Sequence, residues 1–228
     1  AYDGRMLAPP VVRGGVAVRS LSLVLGLFAC AAGIVLLLES GLGLSPWDVL
    51  HQGLADHTPL SFGITNIVVG AAVLGAAWAL GARVGPGTVA NAVLIGLFVD
   101  LLLRVDGVAG LDDSAPGVRI ALLAAGLVCF GVGSAFYIGA DLGAGPRDSL
   151  MLVLSARTGV RIGAVRAGLE VAVTVLGFAL GGTVGIGTLA FAFGIGPLVE
   201  LSFWVLQRSP LADPSPRPLA GPAATVAE

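Results

Sequence analysis

The sequence predicts an all-α membrane protein with six transmembrane helices, arranged as two inverted-topology repeats of three helices. Each repeat also contains a short broken or re-entrant helix that opens at a Pro-x-Asp motif. Three observations lead to this fold class: the composition, six long apolar runs, and an internal repeat with an offset of one hundred residues.

The composition is that of a membrane protein. Hydrophobic residues make up 56% of the chain and charged residues only 11%, whereas soluble domains have roughly 25% charged residues. A water-soluble chain of this length could not bury so much apolar surface. The net charge of -2 says nothing about nucleic acid, and no basic cluster suggests it as a partner.

One short stretch occurs twice and sets the organisation of the chain. Leu42 to Leu50 reads LGLSPWDVL and Leu142 to Leu150 reads LGAGPRDSL, with Leu, Gly, Pro, Asp and Leu at matching places. The same offset relates Arg19 to Arg119, and it relates the GPGT of residues 85–88 to the GIGT of residues 185–188. A fixed period indicates a duplicated structural unit, which here is half of the protein.

Each half contains three apolar runs, and a run of about 19 residues crosses a hydrocarbon core of about 30 Å. The predicted spans are residues 20–38, 64–80, 88–103, 118–138, 164–180 and 188–206. They divide the chain into a cytoplasmic arm (1–18), repeat one (19–103), an external loop (104–117), repeat two (118–206) and a disordered cytoplasmic tail (207–228).

Arginine placement predicts the orientation. With both termini in the cytoplasm, ten arginines lie on the cytoplasmic side or at the inner boundary of the membrane, and only Arg104 and Arg119 lie outside. Because three spans per repeat is an odd number, the two halves insert in opposite directions. The alternative is that both motif segments also span, which would give eight helices in two parallel halves.

The repeated motif predicts a helix start in each half. Ser45 suits the N-cap, Pro46 the first helical position and Asp48 the third, where a carboxylate complements free backbone N–H groups. Gly145, Pro146 and Asp148 take these places in the second copy. The segments are either re-entrant half-helices with positive ends aimed at a central site, or interfacial helices on the membrane surface.

Polar side chains in these motifs and in the apolar runs are the candidates for a solute path. Arg147 replaces Trp47, and three roles are open for it: it pairs with Asp148 or Asp141, it receives an anion, or it serves as a topology signal. Trp47 is expected to be an interfacial anchor. Glu170 lies mid-span and pairs with Arg166 one turn earlier, as a functional or a structural pair. The candidates are Ser45, Pro46, Asp48, Asn66, Asn91, Pro146, Arg147, Asp148, Arg166 and Glu170, with the repeat partners Asp100 and Glu200 as secondary candidates.

The remaining signals are mostly negative. The sequence has no nucleotide-binding loop, HExxH, GxSxG or redox pair, so we expect neither an enzyme nor a cofactor. His51 and His57 are expected to be solvated, and no set of side chains predicts a metal site.

The paired G-x-x-P-x-D-x-L segments, with a GxGT sequence opening the last span of each half, resemble the YczE/YyaS/YitT group of bacterial multi-pass membrane proteins. The resemblance covers about Arg19 to Leu206. It is closest to the YczE branch, on the expectation that the soluble C-terminal domain of YitT-type members is absent. It implies a plasma-membrane location and transfers no activity or site residues.

These observations favour a small secondary transporter or exporter of a small polar or anionic solute. Two alternatives stay open: a non-transporting membrane scaffold that regulates a partner protein, and a dimeric channel. The expected partners are the lipid bilayer, a small solute and, in a homodimer, a second copy of the chain.

Overall fold

The computed structural model describes residues 9–108 and 110–213. Within these residues the fold consists of eight α-helices and one short 3₁₀ helix at Leu111–Asp113. The α-helices are α1 (Val16–Ser40), α2 (Pro46–Asp56), α3 (Phe62–Ala79), α4 (Pro86–Leu103), α5 (Pro116–Gly139), α6 (Pro146–Thr158), α7 (Ile162–Ala179) and α8 (Ile186–Arg208).

Six of these helices (α1, α3, α4, α5, α7 and α8) are long and apolar enough to cross a membrane. They coincide with the six predicted spans and differ from them mainly at the ends. The eight-span alternative fits poorly, because the 11 residues of α2 extend only about 16 Å as a helix.

The two ends of the helix bundle can be told apart by their hydrogen bonds. At one end, which we call the arm end, the backbone N–H of Val12 donates to Gly139 at the end of α5, and Val12 forms a bridge with Ala212 after α8. At the opposite end, the loop end, the backbone N–H of Leu111 donates to Glu39 at the end of α1. The chain before α1 and the chain after α8 therefore meet at one end.

Parts of the predicted arm, loop and tail lie outside the described residues. These are residues 1–8, residue 109 and residues 214–228. Of the predicted tail, the structure describes residues 207–213, which end α8 and lead to the bridge with Val12.

Contacts between the halves come in reciprocal pairs at the ends of α1 and α5. The Arg19 side-chain Nε donates to the Ala140 carbonyl at 2.6 Å, and the Arg119 Nε donates to the Ser40 carbonyl at 2.7 Å. Each bond becomes the other when one hundred is added to or subtracted from its residue numbers, which is the mark of a two-fold relation.

The same reciprocity holds where the backbones approach most closely. The Gly87 N–H donates to the Leu142 carbonyl at 2.8 Å, and the Gly187 N–H donates to the Leu42 carbonyl at 2.7 Å. These bonds attach the start of α4 to the second motif and the start of α8 to the first motif. The duplicated glycines are thus used to join each motif to the opposite half.

Candidate functional site

A cavity of about 390 Å³ lies between the two motif segments. Its wall includes Cys30 of α1, Ile95 of α4 and Ile195 of α8, each near the middle of its helix. The cavity therefore lies about midway between the arm end and the loop end. Nine of the candidate residues line it: Ser45, Pro46, Asn91, Pro146, Arg147, Asp148, Arg166, Glu170 and Glu200.

The first motif helix, α2, is buried in the bundle. Pro46 to His51 are all buried, and α2 packs chiefly against α7 and α3. Ser45 caps the helix by accepting a hydrogen bond from the Asp48 N–H at 3.3 Å. This burial differs from the interfacial-helix alternative, because a helix lying on the surface would expose its polar face.

Asp48 does not line the cavity but lies just behind its wall. Its carboxylate is fully buried and accepts a hydrogen bond from the Ser45 hydroxyl. The other carboxylate oxygen lies 3.2 Å from Nδ1 of His51, and Nδ2 of Asn66 lies 3.1 Å from the same ring nitrogen. These four side chains form one buried polar network that connects α2 to α3.

The expectation that His51 is solvated is wrong, since its side chain is 2% exposed. No local pattern signals this burial, because the segment is polar enough to belong to a solvated loop. His51 and Asn66 line a void of about 20 Å³ that shares Trp47 and Arg147 with the main cavity.

The second motif helix, α6, leaves its polar groups at the cavity. Gly145 supplies no side-chain cap, and the Asp148 carboxylate accepts a hydrogen bond from the Tyr137 hydroxyl at 3.1 Å. Arg147 and Asp148 are both half-buried. The same motif thus gives a helix start with a side-chain cap in the first half and one without a side-chain cap in the second.

Arg147 lies over the ring of Trp47, with the guanidinium carbon 5.4 Å from the ring centroid. Among the described residues no carboxylate forms an ion pair with Arg147, and the pairing with Asp148 or Asp141 that its position allows is not formed. Trp47 is 8% exposed, so the expectation of an interfacial anchor is wrong. Its ring instead supports a cation at the cavity.

Further charged residues reach the cavity from α7 and α8. Arg166 Nε donates to Oε1 of Glu170 at 2.8 Å, as their spacing on one helix predicts. Glu200 lines the same cavity from α8 and is exposed. The cavity wall therefore carries both signs of charge, and one of its cations, Arg147, lies over an aromatic ring.

Asp100 lies outside the cavity, unlike its repeat partner Glu200. Its carboxylate accepts hydrogen bonds from the Ser61 hydroxyl and from the Gly63 N–H, the latter at 2.8 Å. Asp100 thereby attaches the end of α4 to the start of α3.

Helix α5 contributes residues to the site that were not predicted from the sequence. Ser134 and Tyr137 line the cavity beside Cys30, and the Cys30 thiol lies 4.0 Å from the Ser134 hydroxyl. These residues are small or singly polar within an apolar run, so only the packing of α1 on α5 identifies them. In the described chain no group of three or more His, Cys, Asp or Glu side chains could hold a metal ion.

Comparison with known proteins places this architecture in a family. Residues 17–203 match the model of a family of unknown function, DUF6198. The chain is 36% identical over 186 residues to an uncharacterized protein of Haemophilus influenzae. The aligned region covers 82% of this chain and 83% of the relative.

Two relatives from Bacillus subtilis connect the chain to the group it resembles. It is 36% identical over 180 residues to the uncharacterized membrane protein YczE, covering 78% of this chain and 81% of YczE. It is 28% identical over 188 residues to the uncharacterized protein YyaS, covering 81% and 92% of the two chains. No solved structure matches the chain. The resemblance to the YczE group is confirmed, and with six apolar helices the chain is a membrane protein.

Proposed function

The chain belongs to the family of unknown function DUF6198, and we propose that it is a small secondary transporter or exporter of a small polar or anionic solute. It would reside in the bacterial plasma membrane with both termini in the cytoplasm. The observation on which the proposal rests is the mid-bundle cavity onto which both motif helices and the Arg147 guanidinium face.

The proposed architecture is two inverted three-span repeats with a pseudo-two-fold axis in the membrane plane. The reciprocal bonds of Arg19 and Arg119 support it, as does the meeting of the arm with Ala212 at one end of the bundle. An even number of spans puts both termini on one side, and the arginine distribution makes that side the cytoplasm.

The cavity lies where such an axis would pass. Residues that contact their own repeat partner must lie close to a two-fold axis, and two such pairs line the cavity. Cys30 contacts the carbonyl of Phe130 at 3.8 Å, and Arg147 covers Trp47 at 5.4 Å. In transporters built from inverted repeats, the solute site lies at the repeat interface near the membrane midplane.

The charges at the cavity favour a solute with an anionic group. Helix N-termini are partly positive and attract anions, and α6 begins there without a side-chain cap. Arg147 adds a full positive charge that no described carboxylate neutralises through an ion pair. The carboxylates of Asp148 and Glu200 repel an anion. The solute therefore either also has hydrogen-bond donors for these carboxylates or occupies only the part of the cavity next to Trp47 and Arg147.

The proposal can be tested by binding to the purified protein in lipid nanodiscs. Trp47 beneath Arg147 is a built-in reporter once Trp78 and Trp204, which are 70% and 52% exposed, are replaced by Phe. The titrated probes are inorganic phosphate, sulfate, acetate and glutamate. At least one of these probes should change the fluorescence of Trp47 saturably. The Arg147→Gln variant should bind that probe at least about tenfold more weakly, because a hydrogen bond to a charged group is lost.

Arg104→Gln is the matched control, since Arg104 is exposed and does not line the cavity. Its affinity for the probe should equal that of the parent protein. A probe that binds is then tested for uptake into proteoliposomes. Probe binding without uptake would favour the scaffold alternative, and conductance without saturable uptake would favour the channel. The anionic-solute proposal is wrong if Arg147→Gln binds every probe as well as the parent does.

A further inference from the structure

The two halves share their extensive helix contacts, with one exception. The packing of α2 on α7 has a counterpart in α6 on α3, and that of α1 on α4 has a counterpart in α5 on α8. The close packing of α3 on α4 has none, because α7 and α8 are not closely packed anywhere in the described chain. The same duplicated unit is therefore present in a closed and an open arrangement.

The closed contact, which we call the α3–α4 seam, lies at the loop end and depends on two glycines. A methyl group on Gly63 would overlap the Gly96 carbonyl, and one on Gly96 would overlap the Gly63 carbonyl. Asp100 fastens the seam by accepting hydrogen bonds from the Ser61 hydroxyl and from the Gly63 N–H. Glycine faces of this kind allow two membrane helices to approach backbone to backbone.

The open counterpart, the α7–α8 seam, lies at the arm end and contains the same glycines. A methyl group on Gly163 or on Gly196 would meet no described atom within 4 Å. Glu200, the partner of Asp100, is exposed on the cavity wall, and α7 begins without a side-chain cap. Arg161 stands where the first half has Ser61, so a closed seam would put a cation next to Glu200.

We propose that α7 and α8 form the arm-end gate of the solute path and that Glu200 is the residue that fastens it. On closure Gly163 packs on Gly196, and Glu200 reaches the first turn of α7 and the Arg161 guanidinium, as Asp100 reaches the start of α3. This inference rests on the proposed transport function, which requires a path to each side of the membrane.

The described state is then open at the arm end and closed at the loop end. The cavity reaches the surface through the α7–α8 seam, because Gly196 and Glu200 line it together with Arg166, whose side chain is 53% exposed. The opposite state follows from exchanging the two halves: the α7–α8 seam closes while the α3–α4 seam opens. Such an exchange is how inverted repeats give access alternately from each side.

Cross-linking of matched cysteine pairs tests the gate directly and requires no solute. Leu60 and Leu101 flank the α3–α4 seam, and their repeat partners Val160 and Leu201 flank the α7–α8 seam. All four side chains are exposed. In full-length protein with Cys30 and Cys129 replaced by Ser, reconstituted in nanodiscs, a short bis-methanethiosulfonate should cross-link the 60/101 pair rapidly. It should cross-link the 160/201 pair slowly but to completion, because it traps each transient closure.

Two conservative variants should shift this equilibrium in opposite directions. Asp100→Asn weakens the α3–α4 seam and should raise the 160/201 cross-linking rate several-fold. Glu200→Gln removes the charge that holds the gate closed and should lower that rate several-fold.

A steric variant tests closure independently of charge. Gly196→Leu should abolish 160/201 cross-linking by blocking closure, whereas Gly75→Leu, at an equally open glycine of α3, should leave it unchanged.

The inference is wrong if the 160/201 pair does not cross-link over hours in the Asp100→Asn background while the 60/101 pair cross-links in the parent. It is also wrong if Asp100→Asn and Glu200→Gln leave the 160/201 rate unchanged. If the gate closes as described but the protein takes up none of the probes, this inference stands and the proposed transport is wrong. If the protein takes up a probe while the α7–α8 seam does not close, the proposed transport stands and this inference is wrong.

Discussion

Asp48 and Asp148 occupy the same position in the repeat but have different surroundings. Asp48 is fully buried and belongs to a network with Ser45 and His51. Asp148 is half-buried at the cavity, where it accepts a hydrogen bond from Tyr137. The motif thus supplies a helix start in both halves, and the second half additionally exposes its carboxylate to the cavity.

This difference predicts unequal effects of the two alanine substitutions. Asp48→Ala removes the buried carboxylate that Ser45 and His51 share, and each buried polar group left unsatisfied costs about 1–3 kcal/mol. Asp148→Ala should cost about 0.5–2 kcal/mol, as expected for a helix-start residue that is half-exposed, and should change probe affinity. Thermal unfolding in detergent, followed by circular dichroism, measures the first effect, and the Trp47 titration measures the second. Equal losses of stability in the two variants would contradict the assignment.

The Arg166–Glu170 pair at the cavity gives a second prediction at this scale. An unpaired carboxylate near the middle of a span costs about 2.5–3.5 kcal/mol on insertion scales, so Arg166→Leu, which leaves Glu170 unpaired, should reduce the amount of folded protein. The double variant Arg166→Leu/Glu170→Leu should restore it. If the pair lies on the solute path, the restored protein will not transport the probe that the parent takes up.

Expression of fluorescent-protein fusions and uptake into proteoliposomes separate the two effects. Glu170→Asp retains the charge and should keep part of the uptake, with an altered pH dependence. If the double leucine variant takes up the probe as well as the wild type does, Arg166 and Glu170 have only a structural role.

Among the helices, α1 and α5 form the most extensive contact, and small residues allow it. A methyl group on Gly33 would lie 2.8 Å from the Gly126 carbonyl oxygen and 2.9 Å from the Phe130 nitrogen. The reciprocal pair, Gly26 and Gly133, is equally close. Because backbone atoms line both sides, neither helix can yield to a larger side chain without moving as a whole.

This packing predicts that Gly33→Leu will destabilise the protein by about 1–3 kcal/mol, the usual cost of overpacking. Gly75→Leu is the control, since Gly75 lies in a span but has no described atom near a methyl group. The apparent melting temperature in detergent should fall for the first variant and stay unchanged for the second. A melting temperature that stays unchanged in both would mean that α1 and α5 separate easily.

The elements were predictable where a single segment determines them. Six apolar runs gave the spans, and Pro46 and Pro146 gave the starts of the short helices, because proline at the first helical position is favoured by local geometry alone. His51, Trp47 and Tyr137 were not predictable as site residues. Their surroundings depend on how α2 and α5 pack against other helices, and no local pattern encodes that packing.

The molecule as a whole is a duplicated unit whose two copies have diverged in conformation. The hydrogen bonds of Arg19 and Arg119 are matched between the copies. The close contact of Gly63 with Gly96, in contrast, has no counterpart at Gly163 and Gly196. The sequence predicted the duplication but could not predict this asymmetry, because both copies contain the same glycines. It is a property of the packed state.

Labelling of repeat partners tests the proposed inverted topology. Thr58 follows α2 and Thr158 ends α6, and both are exposed. Inverted repeats require that Thr58→Cys react with a membrane-impermeant maleimide in intact cells, and that Thr158→Cys react only after permeabilisation. The physical reason is the positive-inside rule, since Arg157, Arg161 and Arg166 surround Thr158 in sequence while Arg104 and Arg119 flank the loop at the other end.

Arg13→Cys is the internal reference, because Arg13 is exposed and its N–H is bonded to Leu211 at the arm end. It should behave like Thr158→Cys, since α6 is followed by α7, whose first residues lie at the same end of the bundle as the arm. Parallel halves would instead give Thr58→Cys and Thr158→Cys the same accessibility. That result would remove the inverted repeats and, with them, the requirement that closing one seam opens the other.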